Sequence, residues 1–292
     1  MISVNFIGCG QLGKVLGKLI SHHQAGLIKG IVTRSLTSSQ SAVEFIGSGE
    51  AFLSLTQLPE ADVYFITTPD DLIESTCIRL INEAKIKPYA TFIHCSGTLS
   101  SNILNSARQA GLTATAIHPM RCFANSENTI LNFPGTYCTY EGDEHTNQLA
   151  KRLFSDIGAI LCPIKVEQKS AYHAAAVFAA NYLVSLHYAA VTCYELAGFS
   201  EDTATKIVSN LMLDALKTID KSGHQNALSG PIRRGDVEVI KKHLSTLSKS
   251  PLLHAIYTTM GKATLQLTEH PDVIKKSLED ALSKSDETFE KE

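Results

Sequence analysis

Three glycines near the start of the chain have the spacing of a dinucleotide-binding turn. Gly8, Gly10 and Gly13 lie between an apolar stretch typical of a strand and a segment with the apolar spacing of a helix. The first glycine permits a tight bend, the second lets the backbone approach a pyrophosphate, and the third allows close helix–strand packing. Free N–H groups and the helix dipole then favour phosphate at the helix N-terminus. This turn, with Gln11 and Leu12, predicts a dinucleotide site; the alternative is a glycine turn without a ligand.

The segment after the second predicted strand indicates which dinucleotide binds. An acidic side chain there would hold both ribose hydroxyls of NAD, but the chain has Thr33, Arg34 and Ser35, and its first acidic residue is Glu44. A guanidinium offers forked donors to a 2′-phosphate, and the two hydroxyls add hydrogen bonds. We therefore expect NADP; the alternative is that Arg34 is a solvated loop charge.

Polar turns at other strand ends are expected near the same ligand, because ligands of open α/β sheets bind at the carboxyl ends of the strands. Thr67, Thr68 and Pro69 follow one predicted strand and are expected to line the cofactor's path, unless they form an ordinary turn. Ser96 and His118 lie at the ends of two further strands, where they could hold a substrate hydroxyl or carbonyl.

Histidines are the candidates for proton transfer. Hydride transfer needs a group that gives or takes a proton on the substrate's oxygen or nitrogen, and imidazole suits this role because its pKa lies near neutrality. His118 is one candidate; His173, on one stripe of a long helix with Asn181, is the other. For each, the alternative is a hydrogen bond inside the core. Lys169, near the start of that helix, is expected to be exposed.

A polar group further along the chain predicts an anion pocket. Ser229, Arg233 and Arg234 surround a Gly-Pro turn, and paired guanidinium groups bind carboxylate or phosphate well. These residues are therefore candidates for substrate binding; the alternative is a helix connector with solvated arginines. Asp236 is expected to cap the next helix.

Strand and helix patterns alternate over the first half of the chain. The alternation predicts an α/β domain over residues 1–163, with a mainly parallel sheet and helices on both faces. Only helical spacing follows, so residues 164–292 are predicted to be all-α. The predicted strands are 2–7, 28–33, 63–67, 91–95, 113–117 and 136–140, and the predicted helices of the second half are 167–196, 200–221, 237–247, 252–267 and 274–289.

Composition argues against several classes of function. The 292 residues have 26 Lys and Arg against 29 Asp and Glu, a net charge of −3, which disfavours nucleic acid as a partner. No two of the seven cysteines are separated by only two residues, so neither a metal site nor a disulfide framework is expected. The apolar start is too short for a signal peptide, and the stretch 174–191 is interrupted by polar residues, so no membrane span is expected. We expect a cytoplasmic protein.

Several motifs resemble known families. With its glycine turn and Thr33-Arg34-Ser35, the N-terminal half resembles the NADP-binding domain of pyrroline-5-carboxylate reductases, deazaflavin-dependent NADP oxidoreductases and prephenate dehydrogenases. With His118-Pro119-Met120, residues 172–182 and residues 228–236, the whole chain resembles an uncharacterised bacterial family that joins such a domain to a helical domain of unknown function.

The resemblance has consequences for fold and mechanism. It implies a Rossmann-type domain followed by a helical domain like the C-terminal one of 6-phosphogluconate dehydrogenase, through which two subunits would form a homodimer. Prephenate dehydrogenases carry a catalytic His in an HPMxG motif, but here Arg121-Cys122 follows, so the substrate loop must differ. Pyrroline-5-carboxylate reductases have an LTGPxARGD-like turn near their active site, where Arg233 here stands near a position that is usually small.

Together these features predict a two-domain NADP-dependent oxidoreductase that transfers a hydride to or from a small metabolite, expected to be anionic. The alternative is a non-catalytic NADP(H)-binding sensor or regulatory protein, which needs the glycine turn but no proton donor in the cleft.

Overall fold

The computed structural model describes residues 1–283, without the side chains of residues 144–147. The chain forms two compact units, Met1–Asn181 and a second unit that begins at Tyr182. The boundary expected from the sequence, at residue 163, falls at the end of the last strand. The boundary between the compact units lies further along the chain, because residues 164–181 belong to the unit that contains the sheet.

An eight-stranded sheet forms the centre of the first unit. Its strands are β1 Ser3–Ile7, β2 Leu27–Val32, β3 Glu50–Phe52, β4 Val63–Ile66, β5 Thr91–His94, β6 Thr113–Pro119, β7 Tyr137–Gly142 and β8 Ile160–Pro163. They lie in the order β3-β2-β1-β4-β5-β6-β7-β8. All neighbouring pairs are parallel except β6 and β7. The predicted Rossmann-type, mainly parallel sheet is thus confirmed, and its strand order reverses between β1 and β4.

Helices cover both faces of this sheet, and apolar residues on alternate sides of each strand meet them. In β4, Val63 and Phe65 belong to one buried cluster, whereas Tyr64 and Ile66 belong to the other. This period of two, buried on both sides, is expected of a central parallel strand. The helices of the first unit are α1 Gln11–His22, α2 Leu36–Ile46, α3 Ile73–Glu83, α4 Asn105–Gln109, α5 Ser126–Leu131, α6 Glu144–Asp156 and α7 Lys169–Ala176.

The second unit is helical, as predicted. Its helices are α8 Tyr182–Leu196, α9 Glu201–Ala227, α10 Gly230–Arg234, α11 Val237–Leu247, α12 Pro251–Leu265 and α13 Asp272–Ser283. α9 continues past the predicted end at residue 221 but contains one non-helical residue, Gly223. The last predicted helix extends to residue 289, and its part beyond residue 283 lies outside the described residues.

The long helical segment Val166–Leu196 is not a uniform α-helix. A 3₁₀ turn, Val166–Gln168, precedes α7, and a π turn, Val177–Asn181, joins α7 to α8. By length and composition this segment is able to cross a membrane, with 11% of its most apolar window buried. Length and composition alone are weak evidence for a membrane span, because a core helix of a soluble protein passes the same test.

Candidate functional site

The glycine turn joins β1 to α1 at the point where the strand order reverses. Gly8 has a φ of 73°, a left-handed conformation that glycine adopts readily. A β-carbon on Gly8 would lie 2.6 Å from the Thr68 side chain, and one on Gly13 would lie 2.7 Å from Oγ1 of Thr67. The hydroxyl of Thr67 also donates a hydrogen bond to the Gly8 carbonyl. The threonines expected beside the cofactor therefore pack directly on two of the three glycines.

Space for a ligand remains at Gly10, the second glycine of the turn. A β-carbon on Gly10 would have no heavy atom within 4 Å, and this residue precedes α1 without any side-chain cap. In the same turn, Thr68 packs on Gly8, and its Oγ1 is buried and has no partner within the described part of the chain. An open helix N-terminus beside an unused hydroxyl fits a phosphate group. Gln11, at the first position of α1, accepts a hydrogen bond from Ser126, and Leu12 packs against the core.

The hydroxyl groups of Thr33 and Ser35, after β2, form local hydrogen bonds, whereas the guanidinium of Arg34 has no ion-pair partner among the described residues. Thr33 donates from Oγ1 to the Ser35 carbonyl at 3.0 Å, and Ser35 caps α2 by accepting from the Ser38 amide at 3.2 Å. Arg34 is exposed and forms no ion pair within residues 1–283. Of the three residues expected to select the cofactor, Arg34 is thus the one available to an incoming phosphate.

His118 lies at the end of β6 and contacts a tyrosine of α7. Its Nδ1 lies 2.6 Å from the hydroxyl of Tyr172, and the two rings meet edge to face, 5.6 Å apart and at 89°. This contact orients the ring, so that Nε2 and Cε1 face the turn after β5. No role for Tyr172 was apparent from the sequence, although it directly precedes His173.

The two predicted histidines converge above Gly97. A β-carbon on this residue would lie 2.6 Å from Nδ1 of His173 and 3.0 Å from Nε2 of His118. The two imidazole rings are 6.2 Å apart. Nδ1 of His173 is buried and has no hydrogen-bond partner among the described residues. We call the place where these two nitrogens come close together over the backbone of Gly97 the Gly97 notch; a side chain on residue 97 would not fit there.

The other residues predicted for this site, Ser96, Asn181 and Pro69, have different surroundings. Oγ of Ser96 donates to Oδ2 of Asp70 at 2.7 Å and accepts from the Leu99 amide at 3.1 Å, so it holds the turn that contains Gly97. Asn181 is exposed, at the end of the π turn, two helical turns beyond His173. Pro69 immediately precedes the 3₁₀ turn that presents Asp70.

Burial controls the charge of the groups around the notch. It lowers the pKa of His118 to about 4, with smaller contributions from His173 and Lys169. The pKa of His94, which is fully buried at the end of β5, is also lowered to about 4, first by burial and then by Lys169. Both rings are therefore neutral near pH 7. A neutral imidazole donates from one nitrogen and accepts at the other.

Lys169 was expected to be exposed, and this was wrong. It is 3% exposed, and its Nζ forms an ion pair with Oε1 of Glu141 at 3.3 Å. The carboxylate of Glu141 also accepts from the amide and hydroxyl of Ser101, each at 2.7 Å. This buried network connects β7 to the first turn of α7, one turn before His173. A sequence pattern gives no signal for it, because Glu141 and Lys169 are far apart in the chain.

The residues predicted to bind substrate in the second unit form no enclosed anion pocket. Ser229 and Arg233 are exposed, and Nε of Arg234 pairs with Oδ2 of Asp236 at 2.8 Å. Asp236 precedes α11 but makes no side-chain cap, contrary to expectation, because its carboxylate is held by Arg234. Ser229 also lines a mainly apolar cavity of about 320 Å³, beside Pro231.

Comparison with known proteins agrees with this architecture. Residues 136–264 match the family described as Domain of unknown function (DUF2520). The resemblance inferred from the sequence, to an uncharacterised family with a helical domain of unknown function, is thus confirmed. The DUF2520 segment contains Glu141, Lys169, Tyr172 and His173, and it begins after Gly97 and His118.

Several solved structures are similar to the whole chain. Protein TM1727 from Thermotoga maritima is 27% identical, covering 90% of this chain and 97% of its own, with a TM-score of 0.68. A putative NADP oxidoreductase, BF3122 from Bacteroides fragilis, is 18% identical, covering 91% and 98%, with a TM-score of 0.74. Plasmodium falciparum pyrroline carboxylate reductase, solved with NADP bound, is 15% identical, covering 97% of each chain, with a TM-score of 0.58. No curated protein matches this chain.

Proposed function

We propose that the protein is an NADP-dependent oxidoreductase that transfers a hydride to or from a small anionic metabolite in the cytoplasm. The observation that carries the proposal is the Gly97 notch, where nitrogens of His118 and His173 border one buried point. The notch follows β5, and the glycine turn follows β1, so both lie at the carboxyl edge of the parallel strands. Ligands of this fold class bind at that edge.

Individual residues have separate proposed roles toward the cofactor. Gly8, Gly10 and Gly13 shape the turn, and the open N-terminus of α1 would hold the pyrophosphate. Arg34 would bind the 2′-phosphate, since its guanidinium has no acidic partner among the described residues. Thr67, Thr68 and Pro69 would border the dinucleotide. When bound, the nicotinamide supplies or accepts the hydride. Two structural relatives support this choice of cofactor: one is named as a putative NADP oxidoreductase, and the other is a pyrroline carboxylate reductase solved with NADP bound.

Substrate chemistry is proposed to take place at the notch. His118 and His173 would hydrogen-bond the oxygen or nitrogen on the reacting carbon, and one of them would exchange a proton with it. Ser96 would keep the turn in place, and Asn181 remains a candidate for orienting the substrate. In the second unit, Ser229, Arg233 and Arg234 remain candidates for binding an anionic ligand.

A second copy of the chain is the proposed partner. Apolar side chains of α8 and α9 are exposed in the single chain, with Val184 71%, Tyr188 65% and Leu213 53% exposed. Contiguous exposed apolar surface of this kind is typical of an interface. We therefore propose a homodimer through the helical unit.

Calorimetry with NADPH and NADH tests the cofactor proposal directly. We expect NADPH to bind more tightly than NADH. If neither dinucleotide binds, the proposed oxidoreductase function is wrong. A panel of small carbonyl and imine compounds, screened by NADPH oxidation, then tests turnover. His118→Ala and His173→Ala should keep the affinity for NADPH and lose turnover by about 10²- to 10⁴-fold. NADPH binding with full activity in both variants would contradict the proposed roles.

A further inference from the structure

The ring of His118 has two different surroundings at its two nitrogens. Nδ1 faces the hydroxyl of Tyr172 at 2.6 Å, whereas Nε2 faces the notch, 3.0 Å from the point that a β-carbon of Gly97 would occupy. In a neutral imidazole, the hydrogen bond made by one nitrogen determines which of the two carries the proton. The partner at Nδ1 therefore decides what Nε2 offers to a ligand.

We infer that Tyr172 is a positioning residue that sets the tautomer of His118: its phenol donates to Nδ1, and the ring proton is held on Nε2 above Gly97. A phenol O–H is a stronger acid than a neutral imidazole N–H, and an imidazole nitrogen is a stronger base than a phenol oxygen. Both differences favour O–H···N over N–H···O. The inference rests on the proposed function, since it concerns the atom that would meet the substrate.

The surroundings of the phenol agree with this direction. Thr139 pairs with His118 across the antiparallel β6–β7 ladder, beside the contact with Tyr172. Burial raises the pKa of the Tyr172 phenol, so the phenol keeps its proton near pH 7 and is able to donate it to Nδ1 of His118.

This tautomer gives the two histidines different roles toward the substrate. A neutral ring with its proton on Nε2 donates a hydrogen bond to a substrate oxygen or nitrogen and so polarises the bond to the reacting carbon. Complete loss of that proton would leave an unfavourable imidazolate anion or, if the proton of Tyr172 moved to Nδ1, a phenolate that burial disfavours, since it raises the pKa of Tyr172. Net proton exchange therefore falls to His173, whose buried Nδ1 borders the same notch without a partner among the described residues. His118 acts as a neutral hydrogen-bond donor.

Nitrogen NMR of protein with ¹⁵N-labelled histidine tests the inference on the full chain. Chemical shifts separate protonated from unprotonated ring nitrogens, and the His118 signals are assigned by their loss in His118→Ala. We expect Nε2 of His118 to be protonated and Nδ1 unprotonated near pH 7. In Tyr172→Phe the donor to Nδ1 is lost, so a mixture of both tautomers is expected. Tyr137→Phe, which removes an exposed hydroxyl from β7, is the matched control and should leave the His118 signals unchanged.

Two results would overturn the inference. One is a protonated Nδ1 on His118 in the natural protein, and the other is an unchanged tautomer in Tyr172→Phe with unchanged thermal unfolding. If Tyr172→Phe does not fold, the natural protein's tautomer alone decides. These spectra need no cofactor, so a failed tautomer prediction is distinct from a failure to bind NADPH, which would remove the proposed function instead.

Discussion

Nδ1 of His173 lies 2.6 Å from the point that a β-carbon would occupy on Gly97. The same point is 2.9 Å from Cε1 of His118, so the absence of a side chain at Gly97 is what lets both rings approach. Gly97 does not have a positive φ, and alanine is therefore compatible with its backbone conformation. The requirement for glycine is a matter of space, and it is local to the notch.

Gly97→Ala should reduce turnover while leaving NADPH affinity unchanged. The added methyl group displaces one or both rings, and a shift of about 1 Å at a reacting centre costs roughly 10²-fold in rate. Overpacking should also reduce the free energy of unfolding by about 1–3 kcal/mol. Urea unfolding and NADPH calorimetry measure the two effects separately.

A double variant shows whether the contact with His173 is responsible. His173→Ala removes the nearest atom, so Gly97→Ala should destabilise this background less than the natural protein. If Gly97→Ala destabilises the natural protein and His173→Ala equally, the contact with His173 is not the cause of the destabilisation.

Gly8 and Gly10 are expected to respond differently to alanine, although both belong to one motif. Gly10→Ala meets no heavy atom within 4 Å and should fold normally, but its methyl group occupies the space proposed for phosphate, so NADPH affinity should fall. Gly8→Ala is strained by its φ of 73° and by Thr68 at 2.6 Å, so it should lower stability as well. Unfolding and calorimetry of the pair check this. If Gly10→Ala binds NADPH as tightly as the natural protein, the phosphate site lies elsewhere.

Arg34→Ala should weaken NADPH binding by roughly tenfold to a hundredfold, as expected for the loss of one or two charge-assisted hydrogen bonds. NADH has no 2′-phosphate, so its affinity should stay the same. Raising the salt concentration should reduce the difference, because Arg34 is exposed. Arg79→Ala, an exposed arginine on α3 of the same unit, is the control and should affect neither cofactor. Equal losses for NADPH and NADH would contradict selection by Arg34.

The glycine turn, the sheet class and the paired histidines could be predicted because each follows from local pattern or from strand order. A helix buries residues at a spacing of 3.6 and a strand at 2, and these periods are readable in the sequence. The register of β6 against β5 then brings His118 to the edge where ligands bind. The sequence did not predict β3 and β8, the two edge strands, whose residues are exposed or half-buried and lack the burial pattern of the central strands.

Tertiary pairing explains what sequence reasoning missed. The contacts of Tyr172 with His118, and of Lys169 with Glu141, depend on how α7 lies against β6 and β7. Lysine is rarely fully buried unless it is paired, so exposure was the natural expectation for Lys169. Lys169 is buried because its ammonium group pairs with the buried carboxylate of Glu141, 28 residues earlier in the chain.

Stability should fall as the pH is lowered through the range between the histidine pKa values of the two states. His94 and His118 have pKa values of about 4 in the folded chain, whereas unfolded histidine titrates near 6.5. Between these values the unfolded chain binds protons that the folded chain does not, so the free energy of unfolding decreases with falling pH. Each ring contributes at most about 1.4 kcal/mol per pH unit.

Urea unfolding between pH 7 and pH 5 measures this slope. His118→Asn should reduce it by about half, since one of the two buried rings is gone. His23→Asn, at the exposed end of α1, should leave it as it is. A stability that stays constant or rises as the pH falls would show that the rings are accessible to protons in the folded chain.

Val184→Asp should convert the proposed dimer to a monomer. Val184 on α8 is 71% exposed in the single chain, so an aspartate there is tolerated by the fold, but in an interface its charge would lose water without gaining a partner. Stable dimers bury about 800 Å² on each subunit, an area that an apolar face shared by two helices is able to supply.

Light scattering after size-exclusion chromatography measures the mass of the natural protein and of Val184→Asp. Lys221→Asp, an exposed and already polar position on α9, is the control and should remain dimeric. A natural protein that is monomeric at micromolar concentration, or that partitions onto lipid vesicles, would show that these side chains have a different partner.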